Sequence, residues 1–192
     1  MGADFAYYAG QYTQLFDLNN MAELDFRKNP WNDGLSVPHH ALSIEIYRLL
    51  CLVQTSSLLE KNSSRFHIEL RQEHQEGEIG RLLIFIAAAI RNAMDQNPSR
   101  AAHWLESEPS DVVGVLIPNL KEPEVREDLH VRDGCHKIIH CDTINFDYRS
   151  RKPKRGDALR PKVHLYGSYR RKEWKATLEI NRFVDLAHVV NV

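Results

Sequence analysis

Apolar positions recur at three- and four-residue spacing along most of the first two thirds of the chain, and the period changes to two near residue 143. Leu42, Ile46, Leu49, Leu50, Val53 and Leu58 predict a helix running to about Lys61, with Ser36 as its cap and Pro38 in its first turn. Asn62-Ser63-Ser64 predicts a break and a new cap, followed by a helical stretch from Arg65 to Gln75. After Gly77, residues 79–94 form the most apolar helical pattern, through Leu82, Leu83, Phe85, Ile86, Ala89 and Ile90, and are expected at the centre of the core. Asp95-Gln96-Asn97-Pro98 ends it. A short amphipathic helix is expected around Ala101–Leu105. The run Val112-Val113-Gly114-Val115-Leu116-Ile117 reads either as a strand or as an extended core segment. Pro123 and Glu124 are read as the opening of a further helix that extends past His140.

From Thr143 onward, apolar and polar residues alternate. Ile144, Phe146 and Tyr148 mark one strand, Val163, Leu165 and Gly167 a second, and Trp174, Ala176, Leu178 and Ile180 a third. Arg170-Arg171-Lys172 forms the tight connection of the last hairpin, and residues 150–161 form a basic loop. A short helix through Phe183, Leu186 and Val189 closes the chain. The first 35 residues are aromatic-rich and broken by turn residues, with helical pieces at 7–16 and 21–26 and a turn around Trp31. These elements define an α+β protein: a predominantly helical bundle over residues 1–142, and a three-stranded antiparallel sheet with a basic loop and closing helix over 143–192, packed as one unit.

Composition adds little until it is resolved along the chain. The 192 residues are 43% hydrophobic and 27% charged, with net charge −1, as in an ordinary globular protein. Three cysteines without scaffold spacing suit a reducing compartment. The chain shows no secretory signal, and its longest apolar run is half of what a membrane span needs, so a cytoplasmic protein without membrane contact is expected. Charge, however, is unevenly placed. Residues 149–175 hold eleven Lys/Arg against two acids, an excess of nine, while the rest of the chain holds 14 basic and 24 acidic residues. Such asymmetry points to a surface for RNA or another polyanion, with Arg149, Arg151, Lys152, Lys154, Arg155, Arg170, Arg171 and Lys172 as its contacts. The alternative is a non-enzymatic interaction module whose basic segment binds an acidic partner.

The densest chemistry lies in Arg132-Asp133-Gly134-Cys135-His136-Lys137-Ile138-Ile139-His140-Cys141. On a wheel of about 100° per residue, Val131, Ile138, Cys135, Ile139, Val125 and Leu129 share a buried face. Arg132, His136 and His140 run along one flank of it, and Lys137 points away. Histidines at i and i+4 can chelate zinc, but Cys141 falls on another side and no further ligands have suitable spacing, so no metal or cofactor is expected. Two imidazoles beside an arginine also form an acid/base pair with a phosphate grip, able to cleave RNA by attack of the 2′-hydroxyl. A plain structural role, with both histidines hydrogen-bonded at the junction of bundle and sheet, is the third reading. The His-Lys-Ile-Ile-His run on a helix ending a bundle resembles the signature of the HEPN superfamily, R-N-x-x-x-H. Arg132-Asp133 matches its Arg-polar pair, while His136 falls one residue before its histidine position and His140 after it. The register of His140 puts Cys135 at the arginine position. The resemblance implies a small helical bundle that dimerises and a metal-independent ribonuclease, with Arg132, His136 and His140 as catalytic residues.

Overall fold

Helix α1 (His39–Asn62) turns Leu42, Ile46, Leu49 and Val53 inward, and α2 (Arg65–Gln96) turns Ile79, Leu82, Leu83, Ile86, Ala87 and Ile90 against it. The structure is a computed structural model that describes residues 39–62, 64–106, 108–150 and 157–191. The readings made for residues 1–38 and for Arg151, Lys152, Lys154 and Arg155 lie outside the described residues. Ser64 caps α2 as expected, its Oγ accepting the His67 N–H at 3.4 Å. The break anticipated near Gly77 does not occur, and α2 is one helix of 32 residues. A glycine inside a helix costs about 1 kcal/mol relative to alanine, a small sum beside the burial of the apolar face that follows. In the outer half of α2, the buried Arg71 donates to Ser56 O at 3.0 Å and the buried Gln75 to Leu52 O at 2.7 Å.

After α3 (Pro98–Glu106) come β1 (Val112–Ile117), β2 (Glu127–His130), α4 (Val131–Ile139), β3 (Thr143–Tyr148), β4 (Leu159–Tyr169), β5 (Lys172–Glu179) and α5 (Ile180–Asn191). The sheet corrects the sequence reading. It has five antiparallel strands in the order β2-β1-β5-β4-β3, not three. The apolar run at 112–117 pairs with β5, placing Gly114 opposite Leu178 and Leu116 opposite Ala176. Residues 127–130, expected inside a helix opening at Pro123, instead pair with β1 as an edge strand. The described residues therefore form a mixed α+β fold, five helices with one five-stranded sheet. A small helical bundle does not account for it.

One face of this sheet is buried. Val163, Leu165, Trp174, Ala176, Leu178 and Leu129 lie there in one core with α1, α2 and α5, whose Phe183 is fully enclosed. The opposite face carries Lys162, His164, Tyr166, Lys175 and Thr177, all half-exposed. No described helix is long and apolar enough to cross a membrane.

The position of α4 follows from the strand order. It connects β2 to β3, which are the two opposite edges of the sheet. A nine-residue helix of about 1.5 Å rise per residue, with its flanking residues, suffices to cross four strand spacings of about 4.8 Å. Its C-terminal turn is thereby delivered beside β4, where the Asp142 N–H donates to Tyr166 O at 2.8 Å.

Candidate nucleic-acid interface

Helix α4 is set by its apolar stripe: Val131, Cys135 and Ile138 are fully buried, as the wheel predicts. Gly134 completes the contact, since a Cβ there would lie 2.9 Å from Cγ2 of Val113. The Val131 N–H donates to Asp111 O at 2.9 Å and fixes the first turn. The helix ends at Ile139, and His140 is its C-cap, donating its N–H to His136 O at 3.1 Å.

His136 and His140 are both exposed, and their rings meet with centroids 4.5 Å apart. Partial burial, then the neighbouring His140, Lys137 and Arg91, hold the His136 imidazole below its ordinary range, with Asp133 opposing. Arg132 stands apart from this pair. Its Nη2 donates to Asp95 Oδ1 at 2.6 Å, and Asp95 also accepts from Arg91 Nε at 3.0 Å. These two guanidiniums, Arg91 first, hold the Asp95 carboxyl below the usual carboxylate range. Arg132 thus ties α4 to the end of α2.

The histidines face a different partner. A cleft of about 630 Å³ is lined by His136, Lys137 and His140 on one side and by Ser168, Tyr169 and Trp174 on the other. Lys137, which the helical wheel turned away from the site, is half-buried with Nζ 4.2 Å from the centre of the Trp174 ring. Desolvation holds this ammonium below its ordinary pKa, against the pull of Asp133 and Glu127. Trp174 is core, as its alternation indicates, and packs over Gly167, where a Cβ would come within 2.3 Å of the indole. Its edge nevertheless lines the cleft.

Beyond the cleft the β4–β5 hairpin outruns its neighbours. Pairing with β3 stops at Tyr166 and pairing with β1 at Lys175, so Gly167–Trp174, Ser168–Glu173 and Tyr169–Lys172 are rungs of a two-stranded ribbon. One backbone bond, Leu120 N–H to Glu173 O, supports its side. The tip is Arg170-Arg171, both left-handed with φ of 48° and 66°. The connection is tighter than expected, with Lys172 already in β5. All three basic residues are exposed, and the Arg170 guanidinium lies 5.1 Å from the Tyr169 ring centre.

Among the described basic contacts, Arg149 does not share a patch with the ribbon tip. Arg149 donates its N–H to Ala158 O, at the start of β4. Ten steps of about 3.3 Å per residue along that strand put the ribbon tip about 33 Å away. Of the cysteines, Cys135 is buried with its thiol pushed up to about 12 by desolvation, and the Cys141 thiol donates to Ile138 O at 3.3 Å. Among the described residues no group of three or more His, Cys, Asp or Glu is placed to hold a metal ion. No family model, no curated protein and no solved structure matches this chain.

Proposed function

We propose that the protein binds RNA, or a polyanion of similar charge density, at the end of the sheet where the last turn of α4 faces the β4–β5 ribbon. The observation that carries this reading is one open cleft lined by His136, Lys137 and His140 together with Ser168 and Tyr169 of the ribbon, whose exposed tip of Arg170, Arg171 and Lys172 follows directly in the chain. Cationic groups collected on exposed edges neutralise phosphates and release their counterions. This reading keeps the nucleic-acid part of the HEPN resemblance and moves the phosphate grip from Arg132 to the ribbon.

Cleavage of the bound RNA is the second reading, favoured by the depressed pKa of His136. A neutral imidazole at pH 7 accepts a proton from a 2′-hydroxyl, and a second imidazole within reach returns one to the leaving oxygen. Arg132 takes part in that chemistry only by exchanging Asp95 for phosphate.

Fluorescence anisotropy with a labelled single-stranded RNA, repeated over a salt series, tests the binding. Affinity should fall steeply with salt. Replacing Arg170, Arg171 and Lys172 together by Ala should weaken binding and flatten the salt slope by about two, roughly 0.7 per lost phosphate contact on a single strand. Unchanged affinity and slope in that variant remove the reading, and binding of an acidic protein in place of RNA supports the interaction-module alternative. The same samples, run on a gel, report whether the bound RNA is cut.

A further inference from the structure

Resting on the nucleic-acid reading above, we infer that the cleft takes one unstacked nucleotide, its base laid on the ring of Tyr169 and its phosphate held between Lys137, the histidine pair and Arg170. Tyr169 is 64% exposed, against 4% for Trp174 in the same cleft. An aromatic ring in water at the last rung of a ribbon contributes little to the core, since Trp174 and Gly167 already fill the space beneath the sheet. Among the described residues its ring meets the Arg170 guanidinium, a planar cation that a nucleobase can displace or sandwich.

The surroundings suit a nucleotide more than a bare phosphate. The volume of about 630 Å³ is in the range of pockets that hold small molecules, well above what a single anion fills. The Lys137 ammonium and both imidazoles line the cleft together with Tyr169. A base on Tyr169 therefore directs its own phosphate toward cations, and the next phosphate toward the ribbon tip. Bases within a duplex are stacked on one another and cannot reach an aromatic ring in this way, so the site distinguishes single strands from duplexes.

The strained turn supports the assignment from an independent side. Non-glycine residues rarely adopt positive φ, and two in succession persist only where the surroundings over-determine them. In this turn the Arg170 guanidinium lies 5.1 Å from the Tyr169 ring centre.

The test compares three probes by anisotropy: a labelled oligouridylate, the same strand annealed to oligoadenylate, and inorganic polyphosphate as competitor. Tyr169→Ala should weaken binding of the single strand by about tenfold or more, the usual cost of one lost base stack, and leave competition by polyphosphate unchanged. Tyr169→Trp should retain or improve single-strand binding. Thermal midpoints of both variants should match that of the parent, since the ring is exposed. The inference is overturned if Tyr169→Ala leaves single-strand affinity intact, or if the duplex binds as tightly as the strand, with polyphosphate still competing in either case. Failure of all three probes to bind overturns the nucleic-acid reading itself, which is a different result.

Discussion

His130 and His136 lie six residues apart around one short helix and are tuned in opposite directions. His130 Nδ1 lies 2.7 Å from Asp111 Oδ1, and this bond first, then Asp111, Asp128 and Asp133 through their charges, raises its pKa above 6.5. His136 is lowered below 6.5 by partial burial and by the cations around it. The consequences for stability have opposite signs. His130 binds its proton more tightly when folded, so its contribution is fully present below pH 6.5 and is lost as pH rises through the folded value. His136 binds its proton more tightly when unfolded, so stability falls as pH drops from 6.5 toward its folded value. Imidazole resonances followed by NMR over a pH series should therefore show His136 titrating below 6.5 and His130 above. Added polyphosphate should raise the His136 midpoint, because a nearby anion favours the protonated ring, and leave His130 where it was. A His136 midpoint unmoved by polyphosphate would place the anion elsewhere.

At the scale of the element, the ribbon tip sets stability against binding. Each left-handed non-glycine residue costs about 1–2 kcal/mol, and Asn-Gly is the pair best suited to a two-residue turn of this hand. Replacing Arg170-Arg171 by Asn-Gly should raise the unfolding free energy by about 2 kcal/mol while weakening polyanion binding. Denaturant unfolding and anisotropy on the same variant check both halves, and a loss of stability would mean that the arginines themselves hold the turn. This turn was legible in the sequence, as were β3, β4 and β5, because each strand buries one face and so alternates. Strand β2 was not. Only Leu129 of its four residues is buried, and an edge strand specified by its partner's hydrogen bonds carries no pattern of its own. The same limit applies at the site. A helical wheel assigns Lys137 an angle but not a neighbour, and the hairpin that covers it lies more than 30 residues along the chain. Nor does spacing reveal that Arg132 answers to Asp95, 37 residues away.

For the whole molecule, the question is whether the basic segment acts as one surface. In sequence it is continuous, yet β4 carries its two ends apart, with Arg149 near the first residue of that strand and Arg170 just past the last. Between them Lys162 is paired with Glu179 at 2.6 Å and Arg160 lies 3.9 Å from Asp147, so the middle of the segment is partly neutralised. Substitutions separated by more than about 10 Å with no shared partner act independently. A ligand seated at the ribbon tip should therefore ignore the other end. With an oligonucleotide too short to span about 33 Å, Arg149→Ala should leave the dissociation constant within about twofold, while neutralising Arg170 and Arg171 should weaken binding at least about tenfold. With a strand long enough to reach both ends, Arg149→Ala should lower the salt slope by about one. Equal losses from the two substitutions on the short strand would mean that the ligand lies along the sheet, and that the α4–ribbon cleft is not its principal seat.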